Sequence, residues 1–321
     1  MSIKTSVALA LVTLGLLVIG GPLAAAPAGD PDPAAEMRHA AQVRDTATVE
    51  RLLDAGVDVN AANALGKTAL MMAVEADDLQ TTALLMIRGA DVNARDTSGL
   101  TALTFAAENG HIGITALLLQ RGADVNARTR AGWDALMIAS RYGISDMVEQ
   151  LLFSQADPNA VDKHQRTALM HAGEMGHAQV IQTLVTGGAD LGARDEAGAT
   201  ALHIAADRGQ AEAVETLLGL GADIDATDAA GDSVLAYAVA RGDAGVATLL
   251  LNQGANVNLA GANGSTPLME AIRSGHGELV PLLLQYKADP TLKDAKGRTA
   301  DDWAAKRDDE QAAAALKGRD R

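Results

Sequence analysis

The sequence predicts an all-α protein, a solenoid of helix-turn-helix units joined by β-turn fingers, with a 33-residue period and a cap at each end. Three observations carry this. The stretch GADVNAR occupies residues 89–95 and recurs 33 residues later at 122–128. Leucine fills all eight places of one column at that spacing: Leu52, Leu85, Leu118, Leu151, Leu184, Leu217, Leu250 and Leu283. Alanine fills a second column nine times, from Ala40 and Ala73 through Ala106, Ala139, Ala172, Ala205, Ala238 and Ala271 to Ala304.

One row, Asp96 to Arg128, shows what each unit is. Thr101 is placed to N-cap a short helix, its hydroxyl accepting an orphan backbone N–H. Ser233 holds that slot in a later row, and Thr266 precedes Pro267, a residue tolerated at the first helical position. Leu103, Ala106 and Ala107 share one helical face, and Gly110 ends the helix. Ile114, Leu117 and Leu118 set the face of a second helix, which Gly122 ends. Helices below about 12–15 residues are marginal alone in water, so stability has to come from neighbouring units. The alanine column lets adjacent first helices approach closely, and the leucine column buries area between second helices at roughly 1.5–3 kcal/mol per side chain.

The run DEAGATALHIAADRGQAEAVETLLGLGADIDA (195–226), with its T-A-L-H core and closing G-A-D, resembles an ankyrin repeat. The resemblance extends over 34–321 and implies a curved stack of helix pairs with an N-terminal cap at 34–62, seven full repeats over 63–293 and a C-terminal cap at 294–321. It also implies structural roles for His203, which ties neighbouring turns together, and for His111, His177 and His276, which share the slot after a helix-ending glycine. Gln155, Gln165 and Lys287 stand where turn glycines are expected, and Asp77 replaces a helix-ending glycine. A positive φ at each costs on the order of 1 kcal/mol. The first row lacks the finger and the threonine; the last has Asp301 for the core leucine, with Trp303 expected to seal that end.

Residues 1–28 read as a secretory signal peptide. Lys4 supplies the positive start, Val7 to Ile19 the apolar run, and Ala26 and Ala28 the small residues before cleavage. A Pro/Asp-rich linker follows at 29–33. The expected location is therefore periplasmic or secreted. The rival is a retained membrane anchor, since Val7 to Ala26 is just long enough to span a bilayer.

With 26 basic against 41 acidic residues, the net charge of −15 disfavours nucleic acid. The absence of cysteine excludes disulfides and thiolate metal sites. No P-loop, G-x-S-x-G, H-E-x-x-H or dinucleotide-binding glycine pattern is present, so neither an enzyme nor a cofactor or metal site is expected. His39 and His164 read as solvated. His171 is off pattern, because its column otherwise holds Met72, Phe105, Ile138, Ile204, Tyr237 and Glu270.

The expected function is a monomeric protein-binding module whose client lies on the concave finger and first-helix face. The position just before each helix-ending glycine reads Ala76, Asn109, Tyr142, Met175, Arg208, Arg241 and Ser274, changing character in the middle. Around it the candidate binding residues are Arg130, Trp133, Arg141, Tyr142, Lys163, Arg166, His171, Met175, Arg208 and Arg241. These are types enriched in protein interfaces, and they form a basic cluster in an acidic protein. The competing reading has Trp133 packed on its own finger and the arginines paired with Glu108, Glu174 and Asp207. The alternative function is a membrane-tethered envelope scaffold.

Overall fold

The computed structural model describes residues 32–318. The expected signal peptide, and the linker up to residue 31, lie outside the described residues. Helices come in pairs: α1 (Pro33–Gln42) with α2 (Thr46–Asp54), α3 (Ala69–Glu75) with α4 (Leu79–Ile87), α5 (Ala102–Asn109) with α6 (Ile112–Gln120), and α7 (Ala135–Tyr142) with α8 (Ser145–Phe153). The series continues with α9 (Ala168–Met175), α10 (Ala178–Thr186), α11 (Ala201–Asp207), α12 (Ala211–Gly219), α13 (Val234–Arg241), α14 (Ala244–Asn252), α15 (Pro267–Ser274), α16 (Val280–Gln285), α17 (Ala300–Arg307) and α18 (Glu310–Lys317). Odd-numbered first helices pack on one another, as do even-numbered second helices.

Caps form as the sequence dictates. The side chains of Thr101, Ser233 and Thr266 accept from the N–H three residues on. Pro267 opens α15. A second proline has a different effect: Pro281 has no N–H to donate to the Gly277 carbonyl, so Val280 takes that carbonyl and a 3-10 turn (Gly277–Leu279) precedes α16.

Seven alanines of the column, Ala73 to Ala271, are wholly buried, and the terminal members Ala40 and Ala304 are 4% and 2% exposed. The leucines from Leu85 to Leu283 are also wholly buried. Close approach reaches the helix ends too, where a Cβ on Gly143 would fall 2.7 Å from the ring of His177 in the next unit. Non-glycine residues hold positive φ at Asp77, Gln155, Gln165 and Lys287, as the departures from the glycine pattern predict, and also at Arg44 and Asp308.

The fingers are joined by backbone. Seven N–H groups, from Thr97 to Ala295, each donate to a carbonyl 32 residues earlier in the preceding finger. Beside them runs a ladder of carboxamides. Asn93 Oδ1 accepts from the Asp124 N–H at 2.8 Å while its Nδ2 donates to the Gly122 carbonyl at 3.1 Å. Asn60, Asn126, Asn159 and Asn258 repeat this pair of bonds. Gly192 interrupts the ladder, and a recess of about 240 Å³ opens there beside Gly221 and Asp223.

Gly192→Asn is expected to restore the rung and raise stability by about 1 kcal/mol; an unchanged thermal midpoint would show that the ladder contributes nothing at this position. Gln155→Gly removes the left-handed strain and should stabilise by about 1 kcal/mol in denaturant titration, whereas destabilisation would mean the Gln155 side chain outweighs its backbone cost.

Candidate partner-binding face

The inner column and the fingers meet in a recurrent contact. Asp162, Asp228 and Asp294 each turn a finger by accepting two backbone N–H groups on Oδ1. Their Oδ2 atoms then accept from the column residue nine positions on: His171 Nε2 at 3.1 Å, Tyr237 Oη at 2.8 Å and Trp303 Nε1 at 3.2 Å. Burial raises the Asp162 pKa, but the bonds from His171 and from the Arg166 and His164 N–H groups outweigh it and hold the carboxyl low. Asp294 is held at about 2, because the Arg298 side chain and the Arg298 and Lys296 N–H groups overcome its burial. Burial and the Asp228 carboxylate push the Tyr237 phenol up.

This series explains the off-pattern histidine. His171 is 2% exposed and lies under Trp133, ring centroids 4.2 Å apart. As a partner contact His171 is corrected: it is a buried strut between finger and helix. The sequence signal was available, since His171, Tyr237 and Trp303, three hydrogen-bonding side chains of the column, all have Asp nine residues earlier. Trp303 does pack at the end of the array, with Arg298 3.9 Å and Lys306 4.8 Å from its ring centre. His203 joins units as expected, its Nδ1 on Thr200 and its Nε2 3.3 Å from the Asp232 carbonyl of the next unit; burial lowers its pKa.

Above His171 the arginines converge on one carboxylate. Arg208 Nη2 is 2.8 Å from Glu174 Oε1, while Arg166 and Arg141 lie 3.2 and 3.3 Å from Oε2. Burial would raise the Glu174 pKa, but the three guanidinium groups outweigh it and hold the carboxyl below its ordinary value. Asp195 lies 3.7 Å from Arg166 and Asp207 3.9 Å from Arg208, so three acids balance three bases. Arg141, Arg166 and Arg208 of the expected basic cluster are thus neutralised internally, while among the described residues Arg130 and Lys163 are not. Glu174 and Asp207 take part in it; no ion pair joins Glu108 to these arginines.

The remaining candidates separate by exposure. Tyr142 is 55% and Met175 42% exposed, at corresponding helix ends in adjacent units. Arg130 and Lys163 project from finger tips whose backbone belongs to the inter-finger ladder. Arg241 donates to the Asp207 carbonyl at 2.6 Å. Trp133 is half-buried on His171, with Arg141 5.8 Å from its ring centre. Among the described residues no group of three or more His, Cys, Asp or Glu side chains is arranged to hold a metal ion, and no helix is long and apolar enough to cross a membrane.

With helix pairs, fingers and inter-unit bonds in place, the class is a helical repeat scaffold. The chain belongs to the ankyrin repeat family, matching it in three copies over residues 37–129, 136–228 and 220–294. Among solved structures it is similar to the ankyrin repeat domain of Bcl-3, a member of the IkappaB protein family, at 32% identity and a TM-score of 0.62, over 69% of this chain and 100% of that one. No curated protein matches the sequence. Ankyrin repeats generally mediate binding to protein partners.

Glu174→Gln tests the arginine cluster. A carboxyl titrating below its ordinary 4.5 contributes stability that is present above that value and lost as pH falls through the lower folded value. The substitution should cost about 1 kcal/mol at roughly pH 7, and that cost should shrink as the pH falls below 4.5. A gap that persists in acid would mean that packing, not charge, is what Glu174 supplies.

Proposed function

We propose that this protein is a non-enzymatic scaffold acting outside the cytoplasm, holding an extended segment of a client protein on its concave finger and first-helix face. The observation that carries the reading is the pair Tyr142 and Met175. Two large side chains stand exposed side by side in a chain with 2% aromatic residues, and such side chains dominate binding where they enter a partner. Support comes from below. Arg141, Arg166 and Arg208 are held by Glu174, and Trp133 by His171, so the surface around the pair is pre-organised and loses little freedom on binding. Arg130 and Lys163, on the finger tips, have no ion-pair partner among the described residues and offer charge to an acidic client.

Affinity capture from a cell-envelope extract with the wild-type chain and the Tyr142→Ala/Met175→Ala variant tests the face. The reading expects a protein retained by the wild type and lost by the variant at unchanged melting temperature. Equal retention by both would sink the face assignment. The location rests on the residues 1–28 signal pattern: the intact mass of the exported protein should lack those residues, while their retention would favour the membrane-tethered scaffold.

A further inference from the structure

The second-helix side carries a site that the chain itself fills elsewhere. Arg88, just after α4, reaches back over α2 with Nη1 2.7 Å from Asp54 Oδ1 and Nη2 3.5 Å from Glu50 Oε1. Near the other end of the array Tyr286 occupies the same slot, and its hydroxyl donates back to Asn252 of the preceding unit. A long side chain lying over the preceding second helix is therefore a device this repeat uses.

Three periods of 33 beyond Arg88, Asp54 and Glu50 stand Gly187, Phe153 and Glu149. The acid is retained, the middle position has become aromatic, and the covering arginine has become glycine. The consequence is a groove of about 560 Å³ between α8 and α10, lined by Leu152, Phe153, Glu149, Gln182 and Thr183 beside Gly187. Phe153 is 87% exposed, more than any other large apolar side chain described. The Glu149 carboxylate is exposed and has no hydrogen-bond or ion-pair partner among the described residues.

We propose that this groove accepts an arginine side chain from a basic segment of a partner protein. The guanidinium pairs with Glu149, as Arg88 does with Glu50, and its flat face lies on the Phe153 ring. The methylene stem runs over Leu152, whose side chain already lies against Gly187, Cδ1 2.7 Å from where a Cβ would stand. Arginine suits the site better than lysine, because a planar, weakly hydrated cation both stacks on a ring and pairs with a carboxylate. The net charge of −15 draws a basic segment towards the array. This site lies on the second helices and stands independently of the client face on the first.

Fluorescence anisotropy of a labelled Gly-Arg-Gly-Arg-Gly peptide with the full chain tests it, at near-physiological salt so that distant charges are screened. Glu149→Lys and Phe153→Ala should each weaken binding about tenfold, and the lysine peptide should bind several-fold less tightly. Glu215→Lys is the control: it makes the same charge change in the same column two periods on, beside Gly219 and Gln253. Its effect should stay below about twofold. Gly187→Arg, whose Cβ must push the Leu152 side chain aside, places a guanidinium in cis and should block the probe. The proposal is overturned if the wild type does not bind the peptide, if Glu215→Lys weakens binding as much as Glu149→Lys, or if Phe153→Ala binds like the wild type.

Discussion

Everything else in this molecule depends on how closely adjacent first helices approach. The wholly buried alanines from Ala73 to Ala271 set that distance, because a larger side chain would hold the units apart in an interior that packs like a crystal. At this spacing each finger tip reaches the next by a backbone hydrogen bond, and each carboxamide of the ladder spans to the following unit. Helices of six to ten residues persist only because the neighbour supplies their buried area and satisfies their polar groups. A change in the alanine column therefore acts on fingers and ladder together.

Repetition also makes exceptions informative. Where the period is kept, a side chain has a role that several units share; where it breaks, the neighbours show what is missing. Gly192 drops a rung that five asparagines supply. Gly187 drops a cover that Arg88 and Tyr286 supply in their own units. His171 looked off pattern in its column, yet with Tyr237 and Trp303 it forms a set matched to three finger aspartates. Its burial moves it from the surface to the frame.

Electrostatics in the middle of the array follow proximity more than composition. Arg141, Arg166 and Arg208 come from three successive units, and Glu174 gathers them at the edge of the first-helix row. Counted along the chain they form a basic patch; in space their charge is met by Glu174, Asp195 and Asp207. What remains outward is aromatic and thioether surface at Tyr142 and Met175 with unpaired bases at the finger tips.

The sequence by itself determined the period, the class of fold, the capping residues and the positive φ of Asp77, Gln155, Gln165 and Lys287, though not that of Arg44 and Asp308 in the end units, because each of these is a local requirement that recurs every 33 residues. Thr101, Gly110 and Gln155 were legible for that reason: a cap or a left-handed turn is decided within a few residues of itself. The candidate face was legible only as a set of columns. Which members lie on the surface was decided by contacts nine residues apart, as in His171 with Asp162, and by contacts about one period apart, as in Arg141 and Arg208 with Glu174. The Phe153 groove likewise needed the tertiary structure, since the exposure of one helix end depends on the side chain that the next unit lays over it. Periodicity reports which residues recur; only the stacking of one unit on another decides which of them meet.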